Sequence, residues 1–258
     1  MSNVKVDRLK ENMSTQQQNG LARFFAGYGR LTIFMLPIGV AMNFVGGQIA
    51  SLLKLPIYLD SIGTILVGAL CGGLPGAVVG AVANIINSIT NPTIWAFALV
   101  SVAIGFIANW LSRARFFTSL WKSLLAAVIL SLVAGTLGAL ITLWLFGGLT
   151  ANGSGIIVAA LKAVGIPVQL AVFLTGIPAD LVDKILSVAV VVLILRRMPI
   201  RLLGRFPFGK IYVDDRNARR ARKRGSTSAA ANHPMAASAE RPMSATSGSA
   251  PADNDSDR

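Results

Sequence analysis

Residues 178–197 read PADLVDKILSVAVVVLILRR, and the fold turns on how that run is taken. Its first two turns carry Asp180, Asp183 and Lys184, which a helix on the surface of a soluble domain would leave in water. After Ser187 the residues are apolar on every side as far as Leu195, and a helix that is apolar all round belongs in lipid or deep in a core. The run is therefore taken as a membrane span whose first half holds ionisable groups.

Composition agrees with that reading. Of 258 residues, 53% are hydrophobic and only 14% charged, a balance too apolar for an ordinary soluble domain. A lone Cys71 in an apolar stretch gives no disulfide framework and no thiolate metal site, and His233 is the single histidine, so neither metal nor cofactor is expected. Lys and Arg number 24 against 11 Asp and Glu. Within the long apolar middle the basic residues are Lys54, Arg113, Arg115, Lys122, Lys162 and Lys184, and the others cluster before residue 31 or after residue 195. The N-terminus shows no short apolar stretch with a cleavage site, so residues 1–30 are expected to be a retained polar cytoplasmic arm. Residues 31–199 form the membrane domain, 200–224 a basic juxtamembrane segment, and 225–258, rich in Ser, Ala, Pro and Asn, a disordered cytoplasmic tail.

Crossing about 30 Å of hydrocarbon takes roughly 20 helical residues. Residues 31–52, 93–111 and 120–147 meet that length, and a last span ends at Leu195. Residues 59–90 are too long for one span and are interrupted by Gly72-Gly-Leu-Pro-Gly76, a turn signal that predicts two short helices, 59–72 and 75–90. Residues 151–195 are punctuated by ANGSG, by Pro167 and by Gly176-Ile177-Pro178. Charge decides between one span and two. With the N-terminus inside, six spans leave all the basic residues except Lys54, Lys162 and Lys184 on the cytoplasmic side, as the positive-inside bias requires, whereas seven would export the most basic segment. The expected fold is an all-α membrane protein: a six-transmembrane-helix bundle with both termini cytoplasmic and, over 155–176, a broken or dipping helix before the last span.

Ionisable and amide groups inside such a bundle need partners or a wet cavity. Asp180 and Lys184 stand four apart in the favourable acid-first order and Asp183 is adjacent. Two readings stand for the three: they clamp the helix to its neighbours, or they contribute to a ligand site, directly or by positioning their neighbours, with Asp183 facing the ligand as one arrangement. Asn84, Asn87 and Asn91 share one helix face, suited either to reading the edge of a heterocycle or to joining helices. Asp60 is either an N-cap or a site carboxylate, and Trp95 either an interfacial anchor or a stacking surface. With Gln169, these residues converge near the outer mouth of the bundle and predict a small-molecule pocket opening outward. A phosphate-binding loop of the G-x-x-x-x-G-K-[ST] type and a nucleophile-base pair are both missing from the sequence, so no enzymatic activity is expected. The basic segment RFPFGKIYVDDRNARRARKR reads as a topology determinant touching anionic lipid, with no folded nucleic-acid reader beside it.

Three pieces carry a resemblance: IGVAMNFVGGQIASLLKLPIYLDSIGTILVGALCGGLPGAVVGAVANIIN, TIWAFALVSVAIGFIANWL and PADLVDKILSVAVVVLILRRMP. Over about residues 31–199 the chain resembles the substrate-binding S components of energy-coupling factor transporters. The resemblance implies a cell-membrane protein that captures a vitamin or related micronutrient from outside. It also implies partnership with a membrane coupling subunit and two cytoplasmic ATPases. The family commonly docks its coupling subunit through Ala-xxx-Ala in the first span; here the small residues are Gly39, Ala41, Gly46 and Ala50, with a literal AVVGA at Ala77–Ala81. A sensory membrane module and a stand-alone secondary transporter are the alternatives.

Overall fold

The computed structural model describes residues 29–150 and 153–231, with side chains as far as residue 222. Most of the N-terminal arm and residues 232–258 of the expected tail lie outside these residues. Two compact units are distinguished, Met1–Asp215 and Arg216–Arg258. The described residues are helical, with no strand among them.

Three helical stretches are long and apolar enough to cross a membrane: Arg30–Leu52 (α1), Pro92–Arg113 (a 3-10 turn running into α4, Ala98–Arg113) and Leu120–Phe146 (α5). The chain is therefore a helical membrane protein. At 1.5 Å per residue these helices span roughly 33 to 40 Å, enough for the hydrocarbon layer. They coincide with the expected spans because each is an unbroken apolar run.

The turn at Gly72-Gly-Leu-Pro-Gly76 divides Ile62–Cys71 (α2) from Gly73–Asn87 (α3). Gly72 has φ +121°, a conformation that glycine adopts without the cost a side chain would add. At ten residues, α2 is about 15 Å long, too short to cross alone. Residues 63–71 are all buried, so this helix is the axis of the bundle and faces protein on every side. A short buried helix leaves end carbonyls to satisfy. The Ser112 hydroxyl donates to the carbonyl of Ala69 at 2.8 Å, and the Phe208 amide to that of Leu70 at 3.1 Å. Ser112 also meets the Tyr212 hydroxyl at 2.7 Å, and the Arg113 guanidinium lies 4.8 Å over the Phe208 ring. Residues 208–212 are thereby fastened across one end of the bundle.

Side-chain amides and small residues do the rest of the joining. Asn43, fully buried on α1, donates to Thr64 Oγ1 at 2.8 Å and accepts the Gly63 amide at 2.7 Å. Gly105 of α4 sits so close to α3 that a Cβ there would strike the backbone nitrogen of Ala77. Gly105→Val is expected to destabilise the protein by about 2–3 kcal/mol through overpacking, measured as a lowered unfolding midpoint in detergent.

Residues 151–195 depart from expectation. The short helix there is Gly153–Ala163 (α6), which ends before Gly165 and Pro167, and a single helix then runs from Val168 to Arg197 (α7). The helix expected over 155–176 is thus corrected: residues 168–176 belong to the last long helix, and Gly176-Ile177-Pro178 lies inside it without ending it. Pro178 removes one intrahelical bond, but stopping the helix at membrane depth would strip several backbone groups of partners with no water to replace them. α5 lies close alongside, where a Cβ on Gly135 would come within 3.2 Å of the Ile177 Cα. After α7 come Ile200–Leu203 (α8) and Lys210–Ala231 (α9), the latter taking in the first residues of the segment where order was expected to end.

Candidate functional site

The C-terminal parts of α1, α3 and α5 and the N-terminal parts of α4 and α7 converge on a cavity of about 390 Å3, closed on one flank by α6 and by the loop over residues 53–61. That volume lies within the range of small-molecule sites. Aliphatic walls come from α4, α5 and α7, with Phe97 at one corner stacked against Phe146.

The α3 amides divide their labour. Asn87 accepts from Gln48 Nε2 at 3.0 Å through Oδ1, tying α3 to α1, and its Nδ2 has no hydrogen-bond partner. Asn84 donates from Nδ2 to Ser101 Oγ at 2.9 Å, tying α3 to α4, and its Oδ1 has no partner. Both side chains are 1% exposed and line the cavity. The choice between joining helices and facing a ligand therefore resolves within each residue: one end of the amide joins, the other is left over. Thr175, 7% exposed on α7, likewise lines the cavity with an unpartnered hydroxyl. Asn91 borders the cavity but also caps the 3-10 turn, accepting from the Thr93 amide at 3.2 Å and hydroxyl at 2.7 Å.

The α7 charges divide between the two roles. Asp183 is fully buried and absent from the cavity wall; its Oδ1 accepts the Leu59 amide at 2.6 Å and its Oδ2 pairs with Lys184. Leu59 holds a left-handed φ of +51°, so this carboxylate pins a strained point of the 53–61 loop onto α7. Asp180 and Lys184 line the cavity, 3.5 Å apart. It is Asp183 that clamps, while its two neighbours face the open space.

Asp60 is not the cap of α2, which begins at Ile62 after Ser61, and it lines the cavity. Trp95 is 58% exposed and Gln169 is exposed one turn before Val172, and neither reaches the cavity wall. Gln48, Ser101 and Thr175 were missed by sequence reasoning, although each is a polar residue in a largely apolar helix and the rule applied to the asparagines would have found them. Tyr58 was missed too: from the 53–61 loop it meets Ser154 Oγ at 2.9 Å, and burial, with the Asp180 carboxylate nearby, pushes its phenol up to about 12, so it keeps its proton at neutral pH.

The small residues considered for docking mostly face inward. Gly39 packs against Val67 and Val79, and Gly46 against the Leu59 backbone; Ala50 and Ala77 are buried and Ala81 partly buried. Ala41 is exposed, and lines an apolar groove between α1 and α3 with Val40, Phe44, Val78 and Val82.

No protein-family model, curated protein or solved structure matches this chain. Among the described residues no cluster of His, Cys, Asp and Glu is arranged to hold a metal ion. The arrangement can bind and orient a small molecule by hydrogen bonds from buried amides, a hydroxyl and charged groups, against an aliphatic wall.

Proposed function

We propose that the chain is a substrate-capture subunit of an energy-coupling factor type importer. In this reading it binds a vitamin or related micronutrient and passes it to an ATP-driven module made of a membrane coupling subunit and two ATPases. The observation that carries the reading is a ligand-sized cavity at one end of the bundle, lined by three buried polar side chains with unused hydrogen-bonding capacity. Charge supports the direction in which it opens: Arg113, Arg115, Lys122, Arg196 and Arg197 belong to the helix ends remote from the cavity, which by the positive-inside bias are cytoplasmic. On that view α1–α5 and α7 are the six crossing segments, the short α2 and α3 sheltered by the rest, and both termini are cytoplasmic. The basic segment after residue 200 lies against anionic lipid. The groove holding Ala41 is the face assigned to the coupling subunit.

Purification from the native membrane tests the reading. The expected result is recovery of a multi-pass partner and ATPases together with a bound small molecule identified by mass spectrometry. Uptake should stop on ATP depletion and ignore uncouplers at fixed ATP. Ala41→Trp is expected to reduce partner recovery roughly tenfold while ligand binding stays intact, because a bulky side chain holds helices apart where small ones let them meet. Repeated recovery of the folded chain without partners, or uptake that follows the proton gradient, would overturn it.

A further inference from the structure

The polar wall of the cavity carries both a hydrogen-bonding edge and a charge imbalance, and the two together define a class of ligand. Asn84 Oδ1 and Asn87 Nδ2 are an unused acceptor and an unused donor, three residues apart on one helix and thus neighbours on one face. Both ends are covered by their neighbours, and a buried amide end without a partner is costly; a molecule that draws the two amides toward the cavity relieves that cost if it presents a donor beside an acceptor, as a carboxamide or an amino-substituted nitrogen heterocycle does. Across the cavity, Thr175 Oγ1 is a third unused group and can act as donor or acceptor.

Lys184 is the one buried ammonium among the described residues, 2% exposed, and Asp183 pairs with it from behind the wall. That leaves the carboxylates of Asp60 and Asp180 on the cavity side, with Asp60 in electrostatic reach of Lys184 and of the other two carboxylates. Lys54 also borders the cavity, but it is exposed, where its surroundings screen its charge. The enclosed wall therefore holds more negative than positive charge, in a setting where an added cation gains and an added anion loses.

We infer that the cavity takes a small, flat organic cation bearing an amide-like donor-acceptor edge, the edge read by Asn84 and Asn87 and the charge balanced by Asp180 and Asp60. This rests on the capture reading above and specifies its substrate. It requires no chemistry on the ligand, only binding.

Four probes separate charge from edge: 1-methylnicotinamide has both, nicotinamide the edge alone, 1-methylpyridinium the charge alone, and nicotinate is an anion. Calorimetric titration of the full-length protein in lipid nanodiscs is expected to rank 1-methylnicotinamide first, about tenfold above each single-feature probe, with nicotinate weakest. Asp180→Asn should cut the preference of 1-methylnicotinamide over nicotinamide to within about threefold, and Asn84→Ala should do the same to its preference over 1-methylpyridinium. The wild-type ranking needs no variant to fold. Nicotinate binding as tightly as the cation, no discrimination among the four, or no binding by any of them would each overturn the assignment. If the native-membrane preparation then still yields its coupling module and a neutral or anionic ligand, the capture reading survives and the ligand class is wrong. If it yields neither, both fall.

Discussion

Asp183→Ala is expected to lower the stability of the protein by about 3 kcal/mol, because it removes the nearer partner of a buried ammonium and the acceptor of a buried N–H together. Asp183 is the closer of the two carboxylates that Lys184 meets, and it is also the acceptor for the Leu59 amide. The variant leaves the Leu59 N–H without its acceptor and Lys184 with only the longer contact to Asp180, and it frees a loop residue held at positive φ. Unfolding monitored by circular dichroism in detergent measures the loss. Asp183→Asn is expected to avoid part of it, since an amide oxygen in that place can still accept from the Leu59 N–H. An asparagine variant no more stable than the alanine variant would show that the Leu59 amide is not what makes the loss large.

Gly138→Phe is expected to weaken ligand binding strongly with little effect on folding. Gly138 lies on the cavity wall, and a Cβ there meets only the Phe97 ring, at 3.8 Å, an ordinary contact. A benzyl group can extend into the open volume without displacing backbone, and it would occupy much of the space a small ring compound needs. Affinity for whichever compound the native-membrane preparation yields should fall roughly a hundredfold, about 2.8 kcal/mol, while the unfolding free energy stays within about 1 kcal/mol of the parent. Undiminished binding in a folded Gly138→Phe protein would remove this cavity as the site. Gly105→Val differs because a side chain there meets backbone, whereas one on Gly138 meets only a ring at ordinary contact distance.

The parts of the fold that could be read from sequence are those set by a local pattern. Residues 31–52, 93–111 and 120–147 correspond to Arg30–Leu52, Pro92–Arg113 and Leu120–Phe146 because an apolar run of span length has few alternatives in lipid. The turn at Gly72 was legible because three glycines and a proline within five residues leave a helix poorly supported. Pro178 misled, since its cost in a helix interior is modest beside the cost of exposing backbone to hydrocarbon, and only the packing of α5 on α7 shows which is avoided. The site was legible as a set of polar residues but not as roles. Helical spacing puts Asp180 and Lys184 on one stripe, but it cannot tell that Asp183 turns toward the 53–61 loop, because that loop is more than a hundred residues away in sequence. Trp95 and Gln169 were drawn in by their nearness to the outer level, and the structure sets both on the periphery.

The doubly employed amides of α3 have a mechanical corollary. Asn87 is tethered to α1 and Asn84 to α4, and the free end of each is rigidly fixed to the tethered end by the plane of the amide. A shift of α1 or α4 relative to α3 by even an ångström or so must break a tether or rotate an amide, and either event changes the surface offered to a guest. Occupancy of the cavity and the spacing of three helices are thus linked quantities: a guest that prefers one spacing stabilises it, and a force that imposes another spacing weakens the hold on the guest by the same free energy. Any partner able to pry α1 from α3 would in that act lower the affinity of the cavity, without touching it.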